Sequence, residues 1–328
     1  MKFDALFRGF EKLRIAVIGD VMLDTYWWGK VERVSPEAPV PIVALHHKEH
    51  RIGGAGNVAL NTVSLGAETT LFSVVGDDDD AEVLLGLLQD QHVDTKYIIK
   101  SRERITTNKI RVVSKSQQML RLDSEVTDDI LEEDEQILLS NFASYAKRYQ
   151  PAVVIFEDYN KGILTPSLIQ GIIGICKEHN IITTVDPKRE HFFAYKGVDI
   201  FKPNLKEVKE ALHLSADDAN EETLRCIHAS LHQVLDHKVS LITLSEKGLF
   251  FQKGSQSRII ASHLRNIADV SGAGDTVIAV ASLVYAQTKD IRLMADMANI
   301  AGGLVCEEIG TAAISREKLE AECRRLLV

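Results

Sequence analysis

The chain of 328 residues is 45% apolar and 26% charged, the make-up of a folded protein with a sizeable core; α/β units of this length can be one body. A net charge of −9 argues against non-specific nucleic-acid binding and against docking on an anionic membrane surface. No apolar run approaches the ~18 residues of a membrane span, and residues 1–13 lack a signal peptide's apolar core, so a cytoplasmic protein is expected.

In chain order, Arg14–Gly19 is a short apolar run ending in glycine, the pattern of a buried parallel strand. Residues 26–46 hold alternating aromatic and β-branched segments with three prolines between them and no helix after them. A helix is expected over 54–66, then a strand over Thr69–Val75, the acidic run Asp77–Asp80 and a helix to about residue 90. Residues 105–122 read as a hairpin around Ser114-Lys115-Ser116. Helices over 133–148, 166–179 and 217–236 are interleaved with apolar strands at 152–156, 181–185 and 239–244. Long helices at about 274–287 and 290–307 follow. Strand alternating with helix predicts an α/β fold with a parallel sheet, in a single domain over 1–328. The two helix-free regions, about 24–48 and 104–123, are expected to pair into a small extra antiparallel sheet.

Four cysteines (Cys176, Cys226, Cys306, Cys323) lie far apart and read as reduced packing residues. His228 and His232 are four apart with no zincin glutamate between them, and read as a solvated helix face.

The segment Asp269-Val270-Ser271-Gly272-Ala273-Gly274-Asp275-Thr276 precedes the apolar run Val277–Ala281. Glycines let the backbone approach a ligand closely, and the free N–H groups of a helix N-terminus form an anion site. The N–H groups of Ala273 and Gly274 are placed to stabilise spreading negative charge. A carboxylate repels an anion there, so Asp275 makes sense as a base that takes a proton from an attacking nucleophile. Gly53-Gly54-Ala55-Gly56-Asn57 opens another helix, and could hold sugar hydroxyls against the backbone. Gly54-x-Gly56-x-x-Ala59 also satisfies a dinucleotide fingerprint, with Asp77 and Asp78 about 20 residues on. The charged segment His46–Arg51 breaks the strand that this fingerprint needs, which leaves a dinucleotide-dependent oxidoreductase as a rival reading. Asn204 and Glu207 fit a capping box. Neither a P-loop nor a G-x-S-x-G elbow is present in the sequence.

The two glycine segments resemble the signatures of the ribokinase-like (PfkB) carbohydrate kinases. Gly19–Asp24, Arg33–Pro41, Gln117–Asp123, Asp158–Gly162, Asp186–Lys188 and Lys202–Glu207 extend the resemblance in order, from about residue 14 to 315. Ser35–Pro41 and Gln117–Asp123 resemble in particular the branch that phosphorylates D-glycero-β-D-manno-heptose 7-phosphate at O1, the kinase module of ADP-heptose synthesis. The resemblance implies a three-layer α/β/α fold with a β-sheet lid, ATP with Mg²⁺, and a homodimer formed through the lid. It makes Asp275 the base and Gly272, Ala273 and Gly274 the anion hole. Asp24, Gly53, Gly54 and Asn57 match the sugar positions. Lys188, Asn204, Glu207, Ser245, Gly248 and Asn299, with Gly272 and Gly274, fall on the nucleotide side, and Glu207 would reach Mg²⁺ through water. A sugar that already carries a phosphate needs cations; Lys109, Arg111, Arg121 and Lys161 are the candidates. The chain departs from the family at Gly56, where many members have Ala, and at Ser271, where most have Thr. It runs to Val328, only a helix beyond the kinase, so no C-terminal nucleotidyltransferase domain is expected. The product would be heptose 1,7-bisphosphate, on the way to lipopolysaccharide core heptose. A kinase of the same family for another sugar or nucleoside is the alternative.

Overall fold

The computed structural model describes residues 3–327 apart from 116, 215–219 and 264. Ser116 of the expected hairpin turn and residues 217–219 of the expected helix thus lie outside the described residues. The chain begins with α1 (Phe3–Phe10), β1 (Arg14–Gly19), a long hairpin of β2 (Val21–Val34) and β3 (Pro41–Gly54), then α2 (Ala55–Ser64), β4 (Glu68–Gly76), α3 (Asp79–Asp90) and β5 (Asp94–Ser101). A second hairpin, β6 (Asn108–Ser114) and β7 (Gln117–Ser124), leads to α4 (Glu132–Tyr149), β8 (Val153–Glu157), α5 (Pro166–Glu178), β9 (Ile182–Asp186), β10 (Ile200–Phe201) and α6 (Leu205–Ala211). Then come α7 (Glu221–Leu235), β11 (Val239–Thr243), the hairpin β12 (Leu249–Lys253) and β13 (Gln256–Ile260), α8 (Ala273–Thr288), α9 (Ile291–Val305) and α10 (Arg316–Leu326).

Nine strands form the main sheet in the order β13-β12-β11-β10-β9-β8-β1-β4-β5. Every pair from β5 across to β11 is parallel, and β12 alone runs against them, paired antiparallel with both β11 and β13. A strand points alternate side chains to opposite faces. In β1, Ile15 and Val17 enter the core under α1, α2, α8 and α9, whereas Ala16 and Ile18 enter the core under α4, α5 and α7. Helix α8 is buried on all sides from Asp275 to Tyr285, as its unbroken apolar run requires.

The second sheet has the order β3-β2-β6-β7. Its hairpins are antiparallel, but β2 and β6 pair in parallel, against the expectation of an antiparallel sheet. The reason lies in the main sheet. β2 leaves the carboxyl end of β1, and β6 follows the carboxyl end of β5. Those ends lie on one edge, so the two strands rise in one direction.

Two further expectations are corrected. His46–Arg51 does not interrupt a strand: it lies within β3, which runs into Gly54 with its charged residues largely exposed. What excludes the dinucleotide fingerprint is topology, because β3 lies in the small sheet and β4 in the main one, so β3-α2-β4 is not a βαβ unit of one sheet. Asp78 caps α3, accepting from the N–H of Ala81. His228 is not on a solvated face. It is 6% exposed, 2.8 Å from Ser240 on β11, and burial lowers its pKa to about 4. Cys176 and Cys323 are buried as expected, Cys306 is half-buried and Cys226 is exposed.

Candidate active site

Strand order reverses beside β1, which has β4 on one side and β8 on the other. Open α/β sheets form their ligand crevice at the carboxyl ends of strands around such a point. Asp20 follows β1 there and organises the turn after β8. Its carboxylate accepts from the N–H groups of Tyr159 (2.7 Å), Lys161 (3.2 Å) and Ile163 (3.2 Å). Burial, then the Asp158 charge, raises its pKa to about 6 against the pull of those three donors.

Helix α8 arrives at the same crevice. Gly272 has φ +77°, and a Cβ on it would stand 2.7 Å from Asn57 Nδ2, so both conformation and space require glycine. Asp275, 3% exposed, accepts from Asn57 Nδ2 at 2.7 Å and from the Tyr159 hydroxyl at 2.8 Å. Burial raises its pKa, and the Asn57 and Tyr159 donors oppose the rise. The carboxylate is therefore fixed in direction and kept ionisable, as a base at a fixed point must be. One detail of the expected anion hole changes. The Ala273 N–H is spent on the Val270 carbonyl at 3.3 Å. The first-turn N–H groups left without an intrahelical acceptor are those of Gly274 and Asp275.

Below Gly274 lie Asp186 and Lys202, 3.4 and 3.6 Å from where a Cβ on Gly274 would stand. Lys202 Nζ is 2.7 Å from Asp186 and Lys188 Nζ is 3.1 Å from it. Burial pushes the Asp186 carboxyl up, but the two ammonium groups outweigh it and hold it below its ordinary value. Lys188 also meets Glu207 Oε1 at 3.0 Å, while Glu207 Oε2 accepts the Asn204 N–H at 2.7 Å and Asn204 Oδ1 accepts the Glu207 N–H at 2.8 Å. The capping box is thus real and explains the spacing of the pair. The residues also fit a hydrated Mg²⁺, because among the described residues Glu207 Oε1 meets Lys188 alone and Mg²⁺ retains most of its waters.

The small sheet brings cations to the other side. Arg111 donates to Asp24 at 2.6 Å, and Gly53 leaves room for that carboxylate, since a Cβ there would lie 2.6 Å from Asp24 Oδ2. Lys161 and Lys109 converge on Glu125 at 2.9 and 3.8 Å. Burial, then the neighbouring Lys161 charge, lowers the Lys109 pKa, so the two lysines lie close enough to share one anion. Arg104 binds the carbonyls of Lys161, Asp128 and Val126 beside them. Arg121 differs: it is half exposed and held by Asp123 at 2.8 and 2.9 Å, at the solvent side of β7.

Past β11, Ser245 (φ +55°) and Gly248 (φ +97°) form a tight turn beside Asn204, which bridges to Thr243. Asn299 on α9 donates to the Ala261 carbonyl at 2.9 Å and so anchors the segment after β13. Gly54 (φ +59°) lets Ala55 N–H reach the Asp20 carbonyl at 2.9 Å, which ties α2 to β1. The structure thus joins Asn57 to Asp275 at the α8 terminus, pairs Asp24 with Arg111 on the small sheet, and links Asp186, Lys188, Glu207 and Asn204 in one chain of contacts that reaches the Ser245–Gly248 turn through Thr243. Sequence reasoning missed Asp20, Glu157, Tyr159, Lys202 and Arg104 as site residues. The first four stand at or just past the carboxyl ends of β1, β8 and β10, which was the signal available for them.

The family model for pfkB family carbohydrate kinases matches residues 12–318. The chain is 37% identical over 313 residues to the bifunctional protein HldE of Geobacter sulfurreducens, covering 95% of this chain and 63% of that protein. It is 38% identical over 314 residues to the bifunctional protein HldE of Methylobacillus flagellatus, covering 96% and 64%. It therefore spans less than two thirds of the length of these relatives. Among solved structures, Escherichia coli phosphofructokinase-2 in complex with substrates and products aligns with a TM-score of 0.81 at 18% identity, over 96% of this chain and all of that one. Arabidopsis thaliana ribokinase with ribose and ATP aligns with a TM-score of 0.72 at 16% identity, over 94% of this chain and 98% of that one. At such identities these two show the fold alone.

Proposed function

Because the chain belongs to the pfkB family of carbohydrate kinases, we propose that it transfers the γ-phosphoryl of Mg·ATP to O1 of D-glycero-β-D-manno-heptose 7-phosphate, giving heptose 1,7-bisphosphate for ADP-heptose synthesis. The observation that carries the chemistry is Asp275, aimed by Asn57 and Tyr159 at the N-terminus of α8. Asp275 accepts the proton of the sugar hydroxyl as the new O–P bond forms. The bond from the γ-phosphorus to the bridging β,γ-oxygen breaks, and ADP leaves. Charge spreading over the transferred group meets the N–H groups of Gly274 and Asp275 and the ammonium of Lys202. Mg²⁺, held through water by Glu207, would neutralise the phosphate oxygens. Asp24 orients sugar hydroxyls, with Arg111 fixing the direction of its carboxylate.

The heptose assignment draws on the 37–38% identity to bifunctional HldE proteins and on the second set of cations. Lys109 and Lys161, with Arg104 beside them, lie on the small-sheet side, suited to a phosphate at the far end of the acceptor. The small sheet also supports a homodimer: β7 is exposed along its whole length and carries exposed Met119, Leu120 and Leu122. The test is product identification by phosphorus NMR after turnover with the heptose 7-phosphate. A new phosphate coupled to the anomeric proton is expected, and phosphate on any other carbon would remove the assignment.

A further inference from the structure

Glu157 ends β8 inside the crevice and takes no part in the chemistry above. It is fully buried, and neither carboxylate oxygen has a hydrogen-bond partner among the described residues. An isolated buried carboxylate costs several kcal/mol, on the order of the whole margin of a domain's stability. Such a group either keeps a proton or takes a partner that offsets the cost of its charge. Its neighbours make the need sharper, because Glu157, Asp186 and Asp275 place one oxygen each within 4.8 Å of one another. Oxygens that share one hard cation lie about 3–5 Å apart, given bonds of roughly 2.1–2.6 Å. Four carboxylates meet here (Glu157, Asp186, Glu207, Asp275), and among the described residues two ammonium groups, Lys188 and Lys202, stand between them. With all four ionised, the excess is two negative charges, which a bound divalent cation would balance.

We propose that Glu157, with Asp186 and Asp275, holds a divalent cation of the oxygen-preferring class, Mg²⁺ or Mn²⁺, in the nucleotide-free enzyme, separate from the ion carried by the nucleotide. Glu157 is its defining ligand, since Asp186 is already shared with two lysines and Asp275 with Asn57 and Tyr159. Asp275 contributes through a water that the ion retains, which leaves the base free for its proton. The ion would sit beside the Gly274 turn and face the group in transfer. The inference rests on the triad alone, and holds whichever sugar is the acceptor.

The test is Mn²⁺ titration of metal-stripped protein without nucleotide or sugar, read by the loss of the free-ion electron paramagnetic resonance signal. The wild-type protein is expected to take up one Mn²⁺. Glu157→Gln is expected to weaken it by at least about tenfold, as the loss of a group that supports a metal site does. Glu207→Gln is expected to leave it within about threefold, which separates this site from the proposed nucleotide-linked one. Wild-type protein that takes up no Mn²⁺ overturns the proposal, and so does equal affinity in Glu157→Gln. If Glu157→Gln fails to fold, Glu157→Ser is titrated in its place with the same two readings. Sugar phosphorylation without Mn²⁺ uptake would sink this site and leave the proposed function standing.

Discussion

Tyr159→Phe removes one hydroxyl and leaves the ring, which lies 5.4 Å from the Lys188 ammonium. That hydroxyl donates to Asp275 at 2.8 Å, and burial and the Asp275 charge keep it protonated by holding its own pKa far above the ordinary value. Asp275 loses one of its two donors and keeps Asn57 at 2.7 Å. A hydrogen bond to a charged group contributes about 1.5–3 kcal/mol. At about 1.4 kcal/mol per pKa unit, the Asp275 pKa should rise by roughly one to two units. The sign is fixed: the bond stabilises the ionised form, so its loss favours the protonated form and the base is silenced at a higher pH. The assay is the pH profile of kcat/KM by coupled ADP release, which reports the free enzyme. The acid limb should move up by at least about one unit, while the plateau at high pH falls only a few-fold. An unmoved limb with a collapsed plateau would refute the claim that Tyr159 tunes Asp275.

Replacing both Lys109 and Lys161 by Met should raise KM for the phosphorylated acceptor by about 10–100-fold, taking roughly 1.4–3 kcal/mol of charge-assisted bonding, with kcat changed far less. An unchanged KM would remove these lysines from the acceptor phosphate. Gly272→Ala puts a Cβ 2.7 Å from Asn57 Nδ2 at φ +77°, so Asn57 must release Asp275 and the left-handed conformation adds about 1–2 kcal/mol of strain. A lower melting temperature and a fall in kcat are expected, and wild-type kcat would contradict this account of the turn. In metal-free protein, burial and the Asp186 and Asp275 charges raise the Glu157 pKa well above its ordinary value. The folded state then binds the extra proton, so this residue's cost is absent below the unfolded pKa of about 4.5 and grows as pH rises toward the folded value. Glu157→Gln should therefore gain melting temperature relative to wild type as pH is raised, and a pH-independent difference would contradict the burial argument.

The parallel sheet was legible because β1 and β8 are short apolar runs, and β9 and β11 short β-branched segments, each closed by a polar residue or glycine, as doubly buried strands often are. The two-residue β10 was not, since a pair such as Ile200-Phe201 carries no periodicity. The charged half of β3 hid a strand because its side chains face solvent on both sides of the small sheet. The burial of His228 was hidden because its partner, Ser240, belongs to a strand that comes later in the chain. Asp275 was legible through its place in the glycine turn, but its two donors were not, because Asn57 and Tyr159 lie 218 and 116 residues away from it. Glu157 reads in sequence as the polar end of a strand, and only the fold shows that it has no partner.

Coupled ADP release with Mg·ATP, run with D-glycero-β-D-manno-heptose 7-phosphate, ribose, fructose, fructose 6-phosphate and adenosine, tests the central claim most directly when Asp275→Asn is run beside the wild type. The account predicts a strong preference for the heptose phosphate and a kcat lower by about 10²–10⁴-fold in the variant with ATP affinity retained. Turnover confined to another acceptor would contradict the heptose assignment, and near-normal turnover by Asp275→Asn would contradict the base.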